Sequence, residues 1–162
     1  MTRYGCGRSG VISPRGAVIF AYLGILLVVA LIDWDTQMIY DRFHIMILIL
    51  AVFDFLLYPE RGIVTRLIGA LIISVPMLIL ALVIPGAFGG GDIKLMAASG
   101  LLLGTASTVC AMFIGIVTGG GYAAVMLAGK KLEKKDQFAF GPFLALGLAV
   151  AALWGDRIVA WY

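Results

Sequence analysis

Gly89-Gly90-Gly91-Asp92-Ile93-Lys94 places a carboxylate directly after three glycines, between two apolar stretches. Asp33-Trp34-Asp35 ends an earlier apolar run. A charge at membrane depth is costly, so an ionisable residue there is read first as functional. Two carboxylates held close together cannot both ionise comfortably, and they share one proton. Such a pair suits hydrolysis of a peptide bond. The ionised member takes a proton from water while the protonated member polarises the carbonyl. Bare glycine backbone beside Asp92 leaves room for an extended substrate chain.

The elements that must position these groups are apolar helices. Of 162 residues, 62% are hydrophobic and 13% charged, with mean hydropathy +1.08. A soluble domain carries about 25% charged residues, so the expected fold is an all-α, polytopic membrane helix bundle. The formal charge of +3 fits loops beside anionic headgroups and gives no sign of nucleic-acid binding. Cys6 and Cys110 form no metal-ligand spacing, and His44 is a lone histidine, so neither metal nor cofactor is expected. The whole chain, 1–162, reads as one membrane-embedded domain with a polar N-terminal segment over 1–16 and no cleavable signal peptide.

A span needs about 20 apolar residues. Six segments are expected, at 17–33, 43–58, 64–84, 92–103, 105–128 and 141–155. Pro76 is a kink point in the third, and the tail ends in an interfacial Trp161-Tyr162 anchor. The fourth segment covers only about 18 Å and is short or sheltered by its neighbours. Gly100 with Gly104, and Gly115 with Gly119, are spaced four apart for close helix packing. Asp54 falls near the far end of the second span, where a partner in Arg61 or Arg66 is expected. Two crossings separate Asp33 from Asp92, so both face the same side. Lys and Arg divide six to six between the two sides. Only the Lys130–Lys135 cluster leans toward placing the carboxylate side in the cytoplasm. From these residues alone, proteolysis stands beside proton or ion transport through Asp33, Asp92 and Asp54, and beside a non-catalytic assembly subunit.

The chain resembles the type IV prepilin peptidases, membrane aspartyl proteases of the GxGD class. Their second aspartate motif is similar to Gly89–Ala98, and their C-terminal signature to Phe140-Gly141-Pro142-Phe143-Leu144-Ala145-Leu146-Gly147. Their first aspartate precedes an Ile-Pro-Asn/Asp motif. Here Asp33 precedes Ile39-Tyr40-Asp41, with Tyr40 at the proline position seven residues on. The resemblance implies that Asp33 and Asp92 are the catalytic pair. Gly89, Gly91, Lys94, Gly141 and Pro142 are then motif or substrate-approach residues. It implies cleavage of the leaders of type IV prepilins or of type II secretion pseudopilins, at the cytoplasmic face of a bacterial inner membrane. The expected partners are that substrate and membrane lipid, and no oligomeric state follows. Longer members carry an N-terminal four-cysteine zinc site and methylate the new pilin terminus. Neither feature has a counterpart in these residues, which resemble either the catalytic core or a naturally short form.

Overall fold

The computed structural model describes residues 14–85, 88–129 and 140–161. Six helices follow one another: α1 (Pro14–Thr36), α2 (Asp41–Leu57), α3 (Ile63–Val83), α4 (Gly90–Leu103), α5 (Thr105–Ala128) and α6 (Gly141–Trp161). A 3₁₀ turn over Pro59–Arg61 joins α2 to α3. The chain is a membrane helix bundle, with no strand among the described residues. By length and hydropathy α1, α3 and α5 can each cross a membrane. At 17 and 14 residues, α2 and α4 are shorter. The Lys130–Lys135 cluster, Cys6 and the Trp161-Tyr162 side chains lie outside what is described.

The bundle is apolar outside as well as inside. Phe20, Leu31, Val52, Leu56, Leu71, Leu82 and Val125 all stand exposed, a surface that suits lipid and would be costly in water. The core draws on α1 (Tyr22, Leu26, Val29), α2 (Ile47, Ala51), α4 (Leu95, Met96, Leu102) and α6 (Leu144, Leu148, Ala151). Helix α3 packs mainly on α4, α5 mainly on α6, and α1 on α6 and α2.

Segment ends differ from the hydropathy limits. Helix α1 continues past Asp33 to Thr36, closed by Gln37 N–H donating to the Asp33 carbonyl at 2.9 Å. Asp33 therefore lies inside the last turn. Gln37 adopts φ 53°, which turns the chain out of the helix. Helix α3 runs unbroken through Pro76. Helix α6 extends beyond residue 155 to Trp161.

Helices α3 and α4 cross with their backbones in contact. A methyl group built on Gly69 would stand 2.7 Å from the Gly104 carbonyl carbon and 2.8 Å from the Gly100 carbonyl oxygen. One built on Gly100 would overlap the Gly69 carbonyl. The backbones touch, and no side chain fits between them. Gly104 then joins α4 to α5 in a single residue at φ 83°, a conformation that favours glycine. The other expected glycine pair also packs closely: Gly115 lies against Leu144, and Gly119 against Phe140 and Phe143.

At the end of the bundle away from Asp33, Arg66 of α3 donates to Asp54 of α2 at 2.7 Å and to the Leu101 carbonyl at 3.1 Å. Both side chains are buried. This is one of the two partners expected for Asp54, and it ties α2, α3 and α4 together.

Two stability outcomes follow. Gly100→Leu should destabilise the bundle by about 1–3 kcal/mol or more, whereas Gly24→Ala, with nothing within 4 Å of the added methyl, should be near neutral. Asp54→Ala leaves a buried guanidinium unpaired and should cost about 3–5 kcal/mol. Thermal unfolding in detergent reads both, and an unchanged midpoint for Gly100→Leu would contradict the close crossing.

Candidate functional site

Tyr22, Leu26, Val29 and Asp33 share one buried stripe of α1, at the spacing that keeps residues on one helix face. Asp92, Leu95, Met96, Ser99 and Leu102 do the same on α4. Each carboxylate therefore prolongs a core-facing stripe, one at the end of its helix and one at the start. The two lie at one end of the bundle, near enough for their charges to act on each other. Asp33 is 5% exposed and Asp92 7%. This agrees with the same-side expectation from counting crossings.

Two helix starts converge on the pair. The backbone N–H of Gly141, first residue of α6, donates to the Asp33 carboxyl, and the Gly89 N–H donates to the Asp92 carboxyl. The positive ends of the α4 and α6 dipoles thus point at the site. The residues just ahead of these glycines, Phe88 and Phe140, stack edge to face at 5.6 Å and set the two helix starts side by side. Each carboxyl keeps one oxygen, Asp33 Oδ2 and Asp92 Oδ1, buried and without a hydrogen-bond partner. Gly89 and Gly90 are exposed beside them. A methyl group on Gly90 would touch nothing within 4 Å, so the approach to Asp92 is open along this backbone.

The expected site residues do not all act alike. Asp33, Asp92, Gly89, Gly91 and Gly141 come together. Pro142 follows Gly141 in the first turn of α6, partly buried. Lys94 lies on the exposed side of α4 and pairs with Asp41 of α2 at 2.8 Å. Gly91 is packed for a specific reason: a methyl group there would come within 2.9 Å of Ile39 Cβ. The Ile39-Tyr40-Asp41 motif and the Gly89–Lys94 motif are thus one contact surface, joined by Ile39 on Gly91 and by Asp41 on Lys94. Tyr40, at the proline position, is exposed. His44, a lone histidine, is buried and donates from Nε2 to the Gly91 carbonyl at 3.0 Å. Sequence spacing carries no signal for that bond. The opposite charges of Asp41 and Lys94 in two separate motifs were the one available hint of their pairing. Trp34, Tyr122 and Phe143 form an aromatic row nearby, at 6.3 and 5.1 Å between centroids. Among the described residues no cluster of His, Cys, Asp and Glu could hold a metal ion.

A family model described as the type IV leader peptidase family matches residues 20–124, a stretch that holds both aspartates. A protein of Bacillus subtilis (strain 168) described as prepilin leader peptidase/N-methyltransferase is 32% identical over 146 residues. That match covers 90% of this chain and 58% of the relative. One of the same description from Stutzerimonas stutzeri is 32% identical over 152 residues, covering 91% and 52%. A third, from Legionella pneumophila, is 35% identical over 74 residues, covering 46% and 26%. The chain spans little more than half the length of the first two. No solved structure matches it.

The contact between the two motifs is open to a double-mutant cycle. Gly91→Ala should cost about 1–3 kcal/mol, the usual price of overpacking. Much of that loss should return when Ile39→Gly removes the Cβ that the new methyl meets, so the pair is non-additive. Strict additivity in thermal or denaturant unfolding would mean that the two residues do not touch.

Proposed function

Because the chain belongs to the type IV leader peptidase family, we propose that it is an intramembrane aspartyl endopeptidase that removes the leaders of type IV prepilins or pseudopilins. The observation that carries this reading is the placement of Asp33 and Asp92 at one end of the bundle, both buried, each with one oxygen that lacks a hydrogen-bond partner, and with exposed Gly89 and Gly90 just ahead of Asp92. Asp33 and Asp92 are the catalytic pair. One carboxylate takes a proton from an attacking water while the other, protonated, donates to the scissile carbonyl. The tetrahedral intermediate then collapses as a proton passes to the leaving amine, and no covalent enzyme intermediate forms. Gly89 and Gly90 give the extended substrate backbone its approach, and the Gly141 N–H holds Asp33 in place.

The 162 residues act as one membrane-embedded peptidase domain. Family membership and the names of the curated relatives support the substrate class. The active site faces the cytoplasm of a bacterial inner membrane, an orientation supported by the lean of the lysine-rich 130–135 stretch in the sequence.

Asp33→Asn and Asp92→Asn should each lower leader cleavage of a purified type IV prepilin in proteoliposomes by about 100- to 10,000-fold, with thermal unfolding near that of the parent chain. Full activity in either variant sinks the dyad. Ion flux in the same vesicles without cleavage would instead favour a transport role for the carboxylates.

A further inference from the structure

The buried face of α2 consists of His44, Ile47, Ala51 and Asp54. Asp54 is accounted for by Arg66. His44 is not accounted for by packing, because its imidazole is 5% exposed and only half satisfied. A carbonyl oxygen only accepts, so the 3.0 Å contact with Gly91 assigns the proton to Nε2. That leaves Nδ1 buried with no hydrogen-bond partner, 3.6 Å from Asp41 Oδ1, too long for a hydrogen bond. An apolar side chain at this position would avoid leaving a bare acceptor in the core.

The bond lands on the first turn of α4. There Asp92 N–H and Ile93 N–H both donate to the Gly89 carbonyl, at 3.1 and 3.4 Å, and the Asp92 carboxyl accepts from the Gly89 N–H. The same turn is gripped from outside by α2. His44 holds the carbonyl of Gly91, one residue before Asp92, and Asp41 holds Lys94, two residues after it. Ile39 closes the gap against Gly91.

We propose that His44 is a positioning residue for Asp92. By donating to the Gly91 carbonyl it fixes the rotation of the first turn of α4, and so the direction in which the Asp92 carboxyl meets Asp33. This role rests on the reading of Asp33 and Asp92 as the acid/base pair. His44 itself touches neither the substrate nor the reacting water.

The test compares His44→Phe, His44→Gln and His44→Asn with Asp92→Asn, in the full chain in proteoliposomes, with a purified type IV prepilin as substrate. Phenylalanine fills the ring volume without a donor. Glutamine places an amide N–H near the position of Nε2, and asparagine is too short to reach. His44→Phe should lower kcat by about 10- to 100-fold, the effect of a small misplacement of a catalytic group, while KM stays unchanged. His44→Gln should recover most of that loss and His44→Asn should not. Equal activity of the Gln and Asn variants overturns the proposal, including in the case where His44→Phe does not fold. So does a His44→Phe enzyme with full kcat beside an inactive Asp92→Asn, and that result leaves the proposed reaction standing. An active Asp92→Asn removes the dyad itself, and the positioning role with it.

Discussion

Helix α4 rises only about 21 Å over its 14 residues, against a hydrocarbon core of about 30 Å. A helix of that length cannot cross such a core by itself, and backbone left unsatisfied at membrane depth is costly. It is tolerated because protein surrounds it. Beyond Gly90, Lys94 is its only exposed residue. The backbone contact of Gly69 with Gly100 is what lets α3 come close enough to cover it. Helix α2 covers a second side, and Gly104 returns the chain into α5 without a loop. Asp92 can occupy a buried first turn only because this sheath exists.

The polar groups inside the bundle fall into two kinds. At one end Asp54 and Arg66 satisfy each other, and the Leu101 carbonyl takes a second donor from the guanidinium. That cluster joins three helices and leaves little for chemistry. At the other end Asp33 and Asp92 bring two acidic groups together and keep bare oxygens. Two helix N-termini and the backbone N–H groups of Gly89 and Gly141 offset part of that burden. One end is closed by complementary charge, while the other is held in a state that a water or a substrate carbonyl can complete.

Much of this was legible in the sequence. Hydropathy located every helix, with ends within three residues of those observed except for α6, which runs six residues further. Counting crossings put Asp33 and Asp92 on one side, and four-residue glycine spacing marked Gly100, Gly115 and Gly119 as packing positions but not Gly69, on which Gly100 lies. Placing Asp54 near one span end left Arg61 and Arg66 as its expected partners, and the structure takes Arg66. Helix termini were less legible, because hydropathy marks where charge begins and not where hydrogen bonding stops. Asp33 is charged yet helical, and α1 ends only where Gln37 turns left-handed. The contacts of Ile39 and His44 with Gly91 were not legible. They join residues about fifty positions apart, and their geometry exists only once α2 and α4 have docked. Glycine at 91 was visible as bare backbone, but what presses against it was not.

The two carboxylates ride on helices with different surroundings. Helix α1 is long, and most of its length faces outward, so a thinner or thicker bilayer acts on it directly by tilting it. Helix α4 meets almost no lipid, and such a change reaches it only through its neighbours. On the proposed reading of Asp33 and Asp92 as the catalytic pair, the gap between them is where bilayer thickness would enter the site. The lipid around the bundle would then count among the determinants of its chemistry, alongside the residues themselves.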